Sequence, residues 1–183
     1  MRRLVLLYML LRFFEKYRCN MEGRKKVQKL MFLVEHYDLK TKTVKKSTGL
    51  TGYRFKIWSY GPFSKEIYDD LDQLVEDGSI EEEIISDIIR PDLSLYTDDG
   101  YPKRMYVYKP SRDPAEQLHG VLKDLDKNVI EKIDRIIDLF GDKSARDLEE
   151  FVNKILRLDV EKKINYWGED VDTYLEREKI SGN

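Results

Sequence analysis

Along the chain the apolar positions change their period several times, and each change marks an element. Leu4 to Leu11 (LVLLYMLL) is an unbroken apolar run inside a helix expected from Arg3 to Tyr17, buried on most of its circumference. A second helix begins near Gly23, where Val27, Leu30, Met31, Val34 and Tyr37 recur at helical spacing as one buried stripe. Gly49 and Gly52 bracket a loop. Tyr53-Arg54-Phe55-Lys56-Ile57-Trp58 alternates apolar with polar and reads as a short strand. A helix follows from about Lys65 to Asp77, with Ile67, Leu71, Leu74 and Val75 inward and Gly78 placed to end it in the left-handed conformation. Ser79 to Ile85 reads as a strand. Pro91, Asp98-Asp99-Gly100 and Pro102 mark a long turn, and Met105 to Lys109 returns as a second strand.

Helix, helix, strand, helix and a two-stranded hairpin is the order of a winged helix. After Asp113-Pro114 the pattern is wholly helical. Val129, Ile130, Ile133, Ile136, Ile137 and Phe140 form one stripe ended by Gly141, and Ser144 caps a next helix whose inner face is Leu148, Phe151, Val152 and Ile155. A last helix carries Trp167 and Tyr174. The expected fold is therefore mainly α (α+β), with a winged-helix-like region over 1–112 and a helical segment over 113–183 packed on it. Its 183 residues fit one compact domain.

The stretch IWSYGPFSKEIY joins the expected strand to the expected helix. Tyr60-Gly61-Pro62 reads as a stop for the strand, because proline cannot donate to a ladder and disfavours a helical residue before it. Ser64 is a good N-cap, and Glu66 puts negative charge where the helix dipole favours it. Phe63 and Tyr68 occupy the two positions of a hydrophobic staple. The corner explains Tyr60 least, and its hydroxyl is expected to find a partner within the protein.

Two motifs resemble a known family. Gly23-Arg24-Lys25-Lys26-Val27-Gln28-Lys29-Leu30-Met31-Phe32 and Trp58-Ser59-Tyr60-Gly61-Pro62-Phe63-Ser64 are similar to the basic-Gln-Lys-Leu helix and Tyr-Gly-Pro turn of Panacea-type domains. Those domains include SocA-like antitoxins and the related YwgA-like proteins. The resemblance covers roughly residues 1 to 80. It implies a non-enzymatic domain that acts through protein contacts, often beside a toxin.

Charge bears on the choice of partner. Charged residues make up 37% of the chain, yet the net charge is only −2, so attraction to nucleic acid must come from a local patch. The helix from Ser64 to Gly78 carries Lys65 against Glu66, Asp69, Asp70, Asp72, Glu76 and Asp77, which opposes phosphate contact if it is the recognition helix. One element earlier, Arg24, Lys25, Lys26, Lys29, Lys40, Lys42, Lys45 and Lys46 outweigh Glu35 and Asp38. On a helical wheel Lys25, Lys29, Phe32 and His36 share the face opposite the apolar stripe. Lys25, Lys29, Phe32, His36, Lys42, Lys45 and Lys46 are the candidate partner-binding or nucleic-acid-binding residues. Asp69, Asp70 and Asp72 form an opposing acidic face. On the expected wing, Tyr101, Lys103, Arg104, Tyr106, Tyr108 and Lys109 interleave aromatics with bases.

Chemistry is harder to find. His36 and His119 fit no metal-ligand spacing, no phosphate loop or nucleophile elbow is present, and neither metal nor cofactor is expected. A nuclease would have to assemble from Pro91-Asp92, Asp98-Asp99 and Glu161-Lys162, which are ordinary coincidences among 35 acids. The lone Cys19 excludes an internal disulfide framework. Arg12-Phe13-Phe14-Glu15 follows the N-terminal run where a signal peptide needs a small-residue cleavage site, and the run is too short to span a bilayer. The expectation is a cytoplasmic regulatory or adaptor protein with no membrane role. It binds a protein partner, a toxin for instance, or forms a homo-oligomer. The alternative is a winged-helix DNA-binding regulator using the basic helix over 24–36 and the wing.

Overall fold

The apolar run at the N-terminus becomes the rod around which the fold is built. In the computed structural model, which describes residues 1–86 and 104–179, α1 (Arg2–Tyr17) buries Val5 to Leu11 together with Phe13 and Phe14. A residue run that is apolar all round must be enclosed, and the enclosing elements come from both halves of the chain. After β1 (Met21–Glu22) comes α2 (Arg24–His36), then a small hairpin of β2 (Tyr37–Asp38) and β3 (Thr43–Val44). A second hairpin, β4 (Lys56–Trp58) and β5 (Gly61–Phe63), leads into α3 (Lys65–Glu76). The pair β6 (Ile80–Ser86) and β7 (Arg104–Pro110) follows, then α4 (Pro114–Leu122), α5 (Lys127–Phe140), α6 (Ala145–Ile155), α7 (Val160–Asn165) and α8 (Val171–Arg177).

The chain is mainly α with small antiparallel sheets, as the pattern predicts. β1, β7 and β6 form one sheet in that order, registered by Met21 opposite Tyr108 and by Ile80 opposite Pro110. α1 packs against α3, α4, α5 and β7, and α2 against α5 and α6. One continuous core gathers residues from Val5 to Leu175.

Local signals hold where they are short-range. Gly78 takes φ +70°, and the amides of Gly78 and Ser79 reach back to the carbonyls of Val75 and Leu74, closing α3 in a Schellman turn. Ser144 accepts from the Asp147 amide at 3.0 Å. The Phe63 and Tyr68 rings meet edge to face at 5.1 Å, as a staple should.

Three expectations change. Pro62 does not stop a strand; Gly61-Pro62-Phe63 turns back and pairs with β4, with Ile57 opposite Pro62 and Trp58 opposite Gly61. A position that faces away from the partner strand has no ladder bond to donate, so proline is tolerated there. Ser64 stands at the N-cap without a side-chain cap bond, because its hydroxyl donates to Glu66 at 2.6 Å. The last segment is two helices, each started by an aspartate: Asp159 accepts from the Lys162 amide and Asp170 from the Asp172 amide.

The acidic face also dissolves. Asp70 is buried, and Arg2 Nε and Tyr53 Oη donate to its carboxylate, each at 2.8 Å, tying α3 to α1. Asp72 accepts from Arg24 at 2.7 Å, and Asp69 from Lys65 at 2.8 Å. Helical spacing put these acids near one another, but Asp70 turns inward because α1 delivers an arginine to it. Asp70→Ala should therefore cost about 2–3 kcal/mol by urea unfolding, since it strands a buried tyrosine hydroxyl and an arginine. Asp69→Ala should cost less than about 0.5 kcal/mol, because its pair with Lys65 is exposed. Equal losses for the two variants would contradict this division.

Candidate functional site

Gln28 and Lys29 leave α2 one turn from its start and point at the β4–β5 hairpin. Gln28 Nε2 donates to the Ser64 carbonyl at 2.7 Å, and the Ser64 amide donates to Gln28 Oε1 at 2.9 Å. Lys29 Nζ donates to the carbonyls of Tyr60 at 2.6 Å and Pro62 at 2.9 Å. Lys25 stands above them with Nζ 4.1 Å from the centre of the Tyr60 ring and 2.8 Å from Glu149 of α6. The two motifs separated by some thirty residues of sequence are thus two sides of one contact.

Gly61 fits this contact in two ways. Its φ is +84°, which favours glycine, and a Cβ there would come within 2.3 Å of Asn153 Oδ1 on α6. Asn153 Oδ1 is itself buried without a hydrogen-bond partner among the described residues. Between the clamp and the aromatic rings of Trp58, Tyr60, Phe63 and Tyr68 lies an open cavity of about 170 Å³. Lys29 is 2% exposed, and burial pushes its amine down to about 7, against the pull of Glu149 and with the help of Lys25 and Lys163.

Tyr60 corrects the expectation made for it. It is 60% exposed, and its hydroxyl makes no hydrogen bond among the described residues. Its backbone carbonyl and its ring face carry the contacts instead.

The proposed basic face divides: Lys29, Phe32 and His36 are buried, Lys25 and Lys45 are half-buried, and Lys42 and Lys46 are exposed. Phe32 is fully buried, its ring stacked on His36 at 4.7 Å and edge-on to Phe55 at 5.4 Å. His36 is buried beside it, with Nδ1 2.9 Å from the Lys45 carbonyl, and burial lowers its pKa. The wheel grouped these residues correctly, but the C-terminal elements cover them. Lys45 pairs with Asp38 and Lys46 with Glu176, while Lys42 sits in the β2–β3 turn at φ 57° with no ion pair among the described residues. Of the wing, Lys103 lies outside the described residues, as do Tyr101, Pro91-Asp92 and Asp98-Asp99. Arg104 is exposed. Tyr108 is fully buried, accepting from Arg24 Nε at 2.7 Å, and the Tyr106 ring lies 4.1 Å beneath the Arg24 guanidinium. These tyrosines serve Arg24 and are not presented for stacking. Among the described residues no cluster of three or more metal-ligating side chains forms, and no helix is long and apolar enough to cross a membrane.

Sequence reading missed Glu35, counted only as an opposing charge. Its buried carboxylate collects the amides of Gly49 and Thr51 and the hydroxyls of Ser47, Thr48 and Thr51, which fixes the 47–51 loop. Burial works against the charge, but the bonds from Thr51 and Ser47 outweigh it and hold the pKa below the usual carboxylate value. The Ser-Thr-Gly-Leu-Thr string, dense in donors, was the available signal. Trp58 and Trp167 were also missed as a pair: their rings meet at 4.9 Å, both partly in solvent.

The buried amine makes a pH prediction. A lysine held at about 7 when folded, against 10.5 when unfolded, takes up protons on unfolding between those values, so the folded state gains stability as pH rises through that window. The stability margin of the natural chain over Lys29→Met should widen by roughly 1 kcal/mol per unit from pH 7 toward 10. A margin constant with pH in chemical denaturation would show that Lys29 keeps its ordinary pKa.

Comparison with known proteins bears on the same clamp. No curated protein and no solved structure matches the chain. The family model described as antitoxin SocA-like, Panacea domain, matches residues 27–155, which carries the likeness well past the N-terminal motifs and through α6. That span holds Gln28, Lys29, the Tyr-Gly-Pro hairpin and the helix that carries Glu149 and Asn153, so the chain belongs to the SocA-like Panacea-domain family.

Proposed function

We propose that this protein is a non-enzymatic, antitoxin-like regulatory or adaptor protein that acts by binding a protein partner, a toxin by family resemblance. The observation that carries the reading is the exposure of large aromatics around the family's own hairpin: Trp58 at 37%, Tyr60 at 60% and Trp167 at 53%. Isolated exposed aromatics are ordinary, but three around one rigid corner are the kind of surface that a partner covers. The clamp from α2 supports this role, because it holds the hairpin still without occupying its outer side chains.

The sheet order β1–β7–β6, with α1, α2 and α3 interleaved, supports reading the N-terminal half as winged-helix-like. The charges speak against a DNA-binding use of it. Lys25 is committed to Glu149, Arg24 to Asp72 and Glu82, and Lys29 is inside. On α3, Asp69, Asp72 and Asp77 are paired with Lys65, Arg24 and Arg3, and Glu66 and Glu76, with no ion pair among the described residues, oppose phosphate contact.

Affinity-tagged full-length protein purified from its native cells should carry one protein partner in a fixed ratio, and it should leave a random duplex unshifted at about 50 mM salt, where phosphate contacts are strongest. A salt-sensitive shift of duplex DNA with no co-purifying protein would replace this reading with the DNA-binding one.

A further inference from the structure

Among the described residues Lys29 is the one lysine that is fully buried, and it has no counter-ion. It forms no ion pair there. The acid that acts on it, Glu149 of α6, is held by Lys25 at 2.8 Å. Two carbonyls bond the amine, but neutral dipoles balance a buried charge less well than a carboxylate does. Burial holds its pKa down at about 7 against the pull of Glu149, and the like charges of Lys25 and of Lys163 on α7 add to the shift. Desolvation and neighbouring cations are the two devices that leave a lysine amine nucleophilic at neutral pH.

The amine is not sealed in the core. Lys29 lines the open cavity of about 170 Å³ beside the hairpin, where the other walls include the rings of Trp58, Tyr60, Phe63 and Tyr68 and, among the described residues, no carboxylate. Phe63 stands edge-on to Trp58 at 6.1 Å and to Tyr68 at 5.1 Å, and Lys25 Nζ lies 4.1 Å from the centre of the Tyr60 ring, so the walls are braced. An apolar cavity of about 150 Å³ holds a benzene ring, so this one takes a single ring with a small substituent. The aromatic walls offer such a ring edge-to-face and stacked contacts. Gln28 spends its amide on Ser64 and Lys25 its charge on Glu149, which leaves Lys29 as the nucleophile of the cavity.

We propose that Lys29 is a carbonyl-reactive site, whose amine captures a small aromatic aldehyde, seated among these rings, as a reversible imine. The nitrogen lone pair attacks the aldehyde carbon, a C–N bond forms, and the oxygen takes up a proton. The carbinolamine then loses water to leave a C=N bond, and hydrolysis reverses the sequence without an oxidant or a reductant. The protonated imine keeps one N–H, so it serves one of the two hairpin carbonyls and releases the other. Occupancy of the cavity is thereby felt at the Tyr-Gly-Pro turn. An aromatic carboxylate fits less well, because two carbonyl oxygens and Glu149 already stand around the same amine. The site is independent of the protein-partner reading above.

The full-length protein is treated at pH 7 with benzaldehyde and sodium cyanoborohydride, which reduces an imine to a stable benzylamine, and the labelled positions are read by peptide mass spectrometry. Lys29 should be labelled at least about tenfold faster than any other lysine, because an ordinary lysine is almost wholly protonated at that pH. The α-amine of Met1 is scored separately. The advantage of Lys29 should shrink as pH rises toward 10 and vanish in concentrated urea. Formaldehyde, which has no ring to seat, should lose most of the preference. The variant Lys29→Arg, checked for native circular dichroism, should lose the fast label while the other lysines keep their rates. Labelling of Lys29 no faster than that of exposed lysines overturns the proposal. So does a preference that persists in urea, is independent of pH, or is as strong for formaldehyde as for benzaldehyde.

Discussion

Two carbonyl oxygens, those of Tyr60 and Pro62, depend on one lysine for their hydrogen bonds, and much of the N-terminal half is arranged around that need. A buried amine is costly unless it is bonded, so Lys29 fixes how close α2 can stand to the hairpin. Gln28 fixes the rotation by meeting both the amide and the carbonyl of Ser64. Once the hairpin is placed, the staple of Phe63 on Tyr68 sets the direction of α3. Gly61 then admits α6 so closely that only a hydrogen fits beneath Asn153. Lys29, near one end of the family match, and Asn153, near the other, thus meet at Gly61.

What the sequence reveals divides by range. The Gly78 turn, the Ser144 cap and the Phe63–Tyr68 staple were legible because each depends on residues within five positions. The apolar run of α1 was legible because burial all round leaves no polar face to misread. The fate of Lys29, Phe32 and His36 was not, since their cover combines the hairpin and Phe55, some twenty to thirty residues on, with α6, more than a hundred residues away. Asp70 was misplaced for the same reason, its partner Arg2 lying 68 positions earlier. The exposure of Val160, Ile164 and Trp167 could not be read either: V-x-x-x-I-x-x-W looks identical whether it faces a core or water.

The near balance of 33 basic and 35 acidic side chains conceals how the charges are used. Arg24 alone engages Asp72, Glu82 and the Tyr108 hydroxyl while its plane lies over Tyr106. Lysine and arginine counts along the sequence therefore overstate the cations available to a partner. What matters is the remainder left after internal pairing, and around the hairpin that remainder is mixed, with Arg54 and Lys56 sharing a cleft with Glu66.

The clamp from α2 also has a topological result. A two-stranded hairpin ordinarily offers an outer edge to any extended chain that comes near. Here the 168–171 segment runs beside β4 on one flank, through the bonds of Ile57 with Glu169 and Gly168. On the other flank Pro62 has no N–H to offer, and Lys29 and Gln28 occupy the carbonyls and the amide that remain. Recognition by β-augmentation is thereby closed at this hairpin, and so is the edge-to-edge stacking that seeds aggregates. Whatever docks on this corner must be chosen by its side chains, which gives a small surface a basis for discriminating between partners.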